Sequence, residues 1–317
     1  MPDKKPELSI ISPSWNTGRF AETTIQSIQQ QTFKGWEHII IDNESDDGSL
    51  DIFKKHKHIK LVCEKDRSPD EGFRKGLALA QGDYITFCGI SDGYINHKWY
   101  ELCLDILERQ PQYSLVWGID QIMLEDGTLN WIPFNHLFKD PAPTGPEFLS
   151  YWLDNFIMFH ERNLIVRKNV MEKCYPHFHP NMIGNESAYC TFFHNFNANG
   201  YLPYFLPILA AYGRQHENAA SCRQKKTGEL DNALKKYYTD CENFKRSLLK
   251  EPQPFYFKDG AGNNLSETFD RDRYLRNHKQ KFLKNLAINL LPPFLTYGLR
   301  ATKREITRLQ LKLKGER

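Results

Sequence analysis

The chain has 317 residues, 40% of them apolar and 13% aromatic, enough for one large α/β domain or two smaller ones. Its net charge of +3 hides an asymmetry: residues 271–317 hold 13 Lys/Arg against 3 Asp/Glu, a balance of +10, while the rest, 29 against 36, stands at −7. The seven cysteines form no CxxC pair, which argues against a zinc site or a disulfide framework and fits a reducing compartment. No run reaches the ~20 apolar residues that a spanning helix needs, and the opening stretch MPDKKPELS lacks the apolar core of a signal peptide.

Leu8–Ser12 reads as a strand stopped by Pro13, and residues 13–18 as a loop. Phe20, Ile25 and Ile28 recur at helical spacing over Phe20–Gln31. Trp36–Ile41 is the next strand, a helix is predicted over Ser49–His56, and Ile59–Cys63 is a third strand. A helix over Glu71–Ala80 leads to the apolar run Tyr84–Ile90, bounded by Gly82-Asp83 in front and Ser91-Asp92-Gly93 behind. Strands alternate with helices at intervals of 20–30 residues, the pattern of βαβ units in a parallel, doubly wound sheet.

Three successive strands run into carboxylates, Asp42, Asp66 and Asp92. In an open parallel sheet, ligands bind beyond the carboxyl ends of the strands. Acidic groups gathered there are unfavourable unless a cation, sugar hydroxyls or base N–H groups meet them. The chain has neither GxGxxG after its first strand nor GxxxxGK[ST], so glycine-rich phosphate cradles are missing. A phosphate-bearing ligand would then need a hard divalent cation such as Mg²⁺ or Mn²⁺.

The order of motifs resembles the family 2 glycosyltransferases of GT-A fold. Ser9–Asn16, Ala21–Thr32, Ile41–Ser49 and Arg74–Tyr84 are similar, in turn, to that family's opening strand and Pro-Thr-Tyr-Asn loop, its helix ending in Gln-Thr, its Asp-Asp-Gly-Ser segment and its Asn-x-Gly-x-x-x-Ala-x-Gly-Asp stretch. The likeness covers residues 8–120. It implies a GT-A, Rossmann-like, mainly parallel α/β sheet that binds a nucleotide-diphosphate sugar, with UDP the commonest nucleotide. Pro13, Ser14 and Asn16 would line the nucleotide pocket, Asp42 and Asp66 would meet base and ribose, and Arg74, Ser91 and Arg214 would join the donor site. Asp92 would hold the Mn²⁺ or Mg²⁺ that bridges the diphosphate. The family's usual Asp-x-Asp is here Gly89-Ile90-Ser91-Asp92, with one carboxylate left.

Inverting sugar transfer needs a base on the face opposite the leaving diphosphate, and its transition state resembles an oxocarbenium ion. Between Lys173 and His216 the one acidic residue is Glu186, at the start of a helix expected to run to Asn197. The family places its base at such a start, so Glu186 is the catalytic candidate and Glu161 the alternative. Residues 212–221 resemble the family's Tyr-Arg-x-His segment, which makes His216 a second candidate metal ligand.

Tyr113–Ile119 is read as a strand, Met123–Ile132 as a hairpin around Gly127, Gly145–Asp154 as a helix and Leu164–Val166 as a strand. Residues 1–120 are taken as the donor half, 121–222 as the acceptor and catalytic half, and 223–317 as a helical, basic extension. Within the extension, Glu229–Lys250 is a polar helix and Glu251–Ser266 a loop, and the amphipathic stretches after Tyr274 suit an anionic membrane surface. Together these features predict a cytoplasmic, peripheral hexosyltransferase acting on a lipid-linked or surface glycan. A non-catalytic sugar-nucleotide-binding subunit is the rival. Nucleic acid is not an expected partner, because the pocket is acidic and the tail lacks interleaved aromatics.

Overall fold

The computed structural model describes residues 5–176, 188–217 and 219–279, in two compact units, Met1–Phe269 and Asp270–Arg317. The first unit is built on an eight-stranded sheet. Its elements are β1 (Leu8–Ser14), α1 (Gly18–Gln29), β2 (Trp36–Asp42), α2 (Ser49–Lys55), β3 (Ile59–Cys63), α3 (Pro69–Leu79), β4 (Tyr84–Phe87), β5 (Gly93–Tyr94), α4 (Trp99–Arg109), β6 (Leu115–Met123), α5 (Glu147–Asn155), β7 (Leu164–Arg167), α6 (Lys168–Cys174), α7 (Ala188–Ala198), β8 (Pro203–Arg214), α8 (Ala220–Thr227), α9 (Glu229–Lys250), β9 (Tyr256–Lys258) and β10 (Asn264–Thr268). The strand order is β3-β2-β1-β4-β7-β6-β8-β5, with β9 and β10 forming a separate pair. β3, β2, β1 and β4 run parallel, as do β6 and β8. β7 and β5 run against their neighbours. The sheet is therefore mainly parallel, as the alternation of strands and helices predicts.

β1 and β2, inside the parallel half, are buried on both faces, which is why they read as apolar runs, while β3 at the edge is partly exposed. Leu8, Ile10 and Ile11 of β1 and Ile39, Ile40 and Ile41 of β2 are fully buried. On α1, Phe20, Ala21, Thr24, Ile25 and Ile28 form the stripe that faces the sheet. Around β6, Trp117 stacks on Phe159 with ring centroids 3.7 Å apart and packs against Phe205 at 4.2 Å.

A polar clasp closes the amino-terminal edge. Glu37 of β2 is buried, and its Oε1 accepts from Ser9 Oγ and Gln81 N, each at 2.6 Å, while Lys60 Nζ reaches Oε2 at 2.5 Å. Ser9 Oγ in turn accepts from Gly82 N at 2.9 Å. Gly82 is required there, because a Cβ would lie 2.7 Å from Ser9 N.

Among the sequence expectations that need correction, the first strand is not stopped by Pro13, since β1 runs on through it to Ser14, paired with Asp42 of β2. α3 starts at Pro69, two residues early, because Ser68 caps it by accepting from Glu71 N and Pro69 fills the first helical position. β4 stops at Phe87 rather than running to Ile90. The chain turns back at Gly89, whose carbonyl accepts from Ser91 N and Asp92 N, and then enters β5, against β8. Residues 251–266 are not all loop. Asp259 Oδ1 accepts from Ala261 N and Asn263 N at 2.9 and 2.8 Å and so shapes the turn that lets β9 pair with β10. The expected start of α7 at Glu186 lies outside the described residues.

Candidate active site

The carboxyl ends of the strands carry two polar groups. The first stands over β1, β2 and β3. Asp42 closes β2 and is fully buried; its oxygens accept from Ser45 N at 2.7 Å and Ser45 Oγ at 2.8 Å. Ser45 Oγ also accepts from Asn16 N at 2.8 Å, and Asn16 Oδ1 accepts from Asp46 N at 3.0 Å. Asn16 adopts a left-handed φ of 51°, which an asparagine tolerates better than most residues. The loops after β1 and β2 are thereby stitched together, and Asp42 is their anchor. Ser14, buried at the end of β1, bonds Thr17 at 3.0 Å, and Pro13 precedes it.

Asp66, beyond the end of β3, is only partly covered, and its N–H donates to Asn43 Oδ1 at 2.8 Å. Burial pushes its carboxyl up to about 6; Lys75 opposes this, and Glu71, Asp42 and Glu64 add to it. Arg74 stands apart on α3, 5.3 Å over the Tyr175 ring, where the Asp70 carboxylate attracts it.

The second group assembles around Asp92. Gly93 carries the backbone between Ser27 and Tyr212, where a Cβ would lie 2.4 Å from the Tyr212 hydroxyl. Pairing of Gly93 with Tyr212 brings Asp92 beside the end of β8. There Asp92 Oδ1 accepts from Arg214 N at 3.1 Å, and Arg162 Nη1 lies 3.5 Å from Oδ2. Arg214 Nε donates to the Ser91 carbonyl at 3.3 Å, and its guanidinium stacks 4.8 Å over Phe20. Arg162 lies flat against Gly213, whose Cβ would sit 2.1 Å from the guanidinium carbon. Its Nη2 meets Asp120 Oδ2 at 2.6 Å, and His160 Nδ1 lies 2.8 Å from both Asp120 oxygens. Burial pushes the Asp92 carboxyl up, and the nearby Asp120 adds to this, against the attraction of Arg162, the Arg214 N–H and His216.

His216 is buried against Phe20, with ring centroids 4.8 Å apart, and its Nδ1 has no hydrogen-bond partner among the described residues. Burial, reinforced by Arg19, lowers its proton affinity and keeps the ring neutral, the form that ligates a metal. A partnerless buried nitrogen and a carboxylate in one neighbourhood fit a divalent cation whose remaining ligands are diphosphate oxygens and water. The described residues hold no cluster of three or more His, Cys, Asp or Glu that could bind a metal alone. His216 also lines an open cavity of about 670 Å³, beside Glu125 and Lys226, large enough for a small ligand.

The candidate base Glu186 lies outside the described residues. Its alternative, Glu161, is partly covered, and burial pushes its carboxyl up to about 8, helped by Asp70 and Asp92 and opposed by Arg162. At neutral pH it is mostly protonated and a proton donor. Asp120, Arg162 and Asp70 were missed by sequence reasoning. The available signal was a carboxylate inside an otherwise apolar strand, Leu115–Met123, which must have buried partners.

TuaG of Bacillus subtilis (strain 168), a glycosyltransferase whose name places it in teichuronic acid biosynthesis, is 31% identical over 133 residues, covering 40% of this chain and 52% of its own. The GalNAc(5)-diNAcBac-PP-undecaprenol beta-1,3-glucosyltransferase of Campylobacter jejuni is 26% identical over 177 residues, covering 54% of this chain and 56% of its own. The chain thus spans about half the length of these curated relatives. Among solved structures, S. aureus TarS 1-349 in complex with UDP-GlcNAc superposes with a TM-score of 0.53 at 16% identity, over 68% of this chain and 60% of that one. The mannosyltransferase PcManGT of Pyrobaculum calidifontis, in complex with GDP-Man and Mn²⁺, gives 0.53 at 15% identity, over 96% and 81%. At such identities these two share the fold alone. The family described as Glycosyl transferase family 2 matches residues 9–175, more than half of the chain, and the chain belongs to that family.

Proposed function

We propose that the chain transfers a hexose from a nucleotide-diphosphate sugar to an acceptor hydroxyl, with inversion. The observation that supports this reading is that the Asp92–Arg214–His216 group and the loops of Ser14, Asn16 and Asp66 both stand at the carboxyl-terminal edge of the sheet, in a family 2 chain. Asp66, partly covered and beside Asn43, accepts hydrogen bonds from ribose or base, while Asp42 fixes the loops around it. Asp92 and His216 would hold Mn²⁺ or Mg²⁺. When bound, the cation stabilises the negative charge that develops on the leaving diphosphate. Arg214, anchored by Ser91 and Asp92, adds a fixed positive charge at the same place. The acceptor's proton needs a base on the opposite face, and Glu186 is the carboxylate that the sequence offers there. Glu161 is disfavoured for this step because it is mostly protonated at neutral pH.

UDP is the proposed nucleotide; TarS binds UDP-GlcNAc, and PcManGT binds GDP-Man with Mn²⁺. The acceptor is proposed to be a lipid-linked or surface glycan, the chemistry named for the Campylobacter relative. No helix among the described residues is long and apolar enough to cross a membrane. Attachment is proposed through the basic residues 271–317, at the cytoplasmic face.

Calorimetric titration with UDP, GDP and dTDP, each with and without Mn²⁺, tests the reading. One nucleotide should bind, more tightly with Mn²⁺, and Asp92→Ala should remove the metal dependence. If the wild type bound none of the three, the donor site would be wrongly assigned. The rival reading, a non-catalytic binding subunit, is favoured by Asp92 standing as the one carboxylate of its motif. It predicts nucleotide binding with no release of nucleotide from any sugar donor.

A further inference from the structure

Asp92 and His216 both stand outside regular elements: Asp92 follows the turn at Gly89, and His216 lies beyond Arg214, where β8 ends. The position of each therefore depends on what holds its segment, and both are held by α1. The sheet-facing stripe of that helix carries two buried hydroxyls, Thr24 and Ser27. Serine and threonine are poorer helix formers than alanine, and a buried hydroxyl needs a partner. Thr24 Oγ1 donates to the Asp92 carbonyl at 2.6 Å. Ser27 Oγ donates to the Thr24 carbonyl at 2.8 Å and accepts from Tyr94 N at 3.2 Å. Between these two bonds the backbone passes so close to the helix that a Cβ on Gly93 would lie 2.7 Å from Ser27 Oγ. One turn earlier stands Phe20, whose ring meets the His216 ring with centroids 4.8 Å apart and lies 4.8 Å beneath the Arg214 guanidinium. Phe20, Thr24 and Ser27 follow the spacing that lines side chains along one helix face. A single face of α1 thus grips the Asp92 backbone at one end and the His216 ring at the other.

We propose that Thr24 and Ser27 are positioning residues of the metal site: their hydroxyls fix the segment of Asp92 where it can share a cation with His216, seated on Phe20 of the same helix. The inference rests on the metal-assisted reading above and adds to it the part of the chain that keeps the two ligands in register. In this role neither hydroxyl touches the cation or the donor; both act through Asp92. A site with one carboxylate and one imidazole has few protein ligands, so its affinity depends on how firmly they are held beforehand. Asp92 also has a competing partner, since Arg162 Nη1 lies 3.5 Å from its Oδ2. Released from Thr24, the segment would let the carboxylate close on that guanidinium, and the cation would have to displace it.

The test compares the wild type with Thr24→Val, Thr24→Ser, Ser27→Ala and Asp92→Ala. Calorimetry measures UDP and GDP binding without metal, and Mn²⁺ binding to the nucleotide-loaded protein. Thr24→Val should bind nucleotide alone as the wild type does and bind Mn²⁺ about 10–100-fold more weakly, the usual effect of removing a partner that orients a metal ligand. A merely structural role would lower both affinities together or neither. Thr24→Ser keeps the hydroxyl and should recover most of the Mn²⁺ affinity; a serine variant as weak as the valine one would trace the loss to packing and overturn the inference. Ser27→Ala, which suits a helix interior, should fall between the wild type and Asp92→Ala, and it decides the matter should Thr24→Val not fold. Mn²⁺ affinity within about threefold of wild type in Ser27→Ala, and in Thr24→Val where it folds, overturns the inference, because such a change is below what a positioning partner contributes. A wild type that binds nucleotide without regard to Mn²⁺ removes the metal site and this role with it, but leaves sugar transfer standing. Failure of the wild type to bind either nucleotide would sink the transfer reading itself.

Discussion

Replacing Arg162 with methionine keeps most of the side-chain stem and removes the charge. In the wild type the guanidinium neutralises fully buried Asp120 at 2.6 Å and approaches Asp92 at 3.5 Å. Removing one partner of a buried ion pair costs about 3–5 kcal/mol, because the partner's charge is left uncompensated. His160 stays bonded to Asp120 in the variant, so the lower end, about 3 kcal/mol, is expected at pH 7. The pH dependence carries a sign. Asp120 sits below its ordinary range in the wild type, so its contribution is present near neutrality and lost as pH falls through its folded value. In the variant that depression shrinks, and Asp92, already raised, rises further; a raised carboxyl loses stability as pH climbs. Asp120 is ionised at both pH 5 and pH 8, so its loss weighs equally at the two; the raised Asp92 makes the gap between wild type and variant wider at pH 8 than at pH 5. Urea unfolding at both pH values, followed by tryptophan fluorescence, measures it as a shift in midpoint at constant slope. A difference under about 0.5 kcal/mol at pH 8 would refute the claim that Arg162 holds these two carboxylates together.

Nucleotide affinity should weaken as pH falls through about 6, as Asp66 takes up a proton; Asp66→Asn should flatten that profile, and an unchanged profile by calorimetry would remove Asp66 from the site. The same substitution should leave the free protein unharmed or about 1 kcal/mol more stable at pH 8. A raised carboxyl favours folding below its unfolded value and costs stability above its folded one, and partial exposure keeps the gain small. Deleting residues 271–317 should release the protein from vesicles containing phosphatidylserine at 0.1 M salt; equal co-sedimentation of the truncated and full chains would show that this segment does not bind the membrane.

The parallel half of the fold was legible because burial on both faces of its inner strands makes them largely apolar runs, and the helices between them keep a clear stripe. Asp92 was legible too, since a carboxylate closing an apolar run stands out. Its distance from β4 was not: the reversal at Gly89 is set by backbone hydrogen bonds, which apolar patterning does not encode. Asp120 and Arg162 escaped notice for a different reason. They lie about 40 residues apart in sequence, and only the antiparallel passage of β7 beside β6 brings them together. β9 and β10 were hidden by turn-forming residues, because Asp259 organises a hairpin whose composition alone reads as loop.

The Glu37 clasp lies five residues from Asp42, roughly 16 Å along the same strand. Side chains of a strand alternate in direction, so a slip of one residue would exchange the faces of every residue on β2. With Ser9, Gln81 and Lys60 all seated on one carboxylate, such a slip would strand a buried charge, and the pairing of β2 with β1 and β3 admits one alignment. That alignment places Ser14 beside Asp42 at the opposite edge. The sheet is gauged from its far end, so a change at Glu37 should misplace Asp42 without touching it.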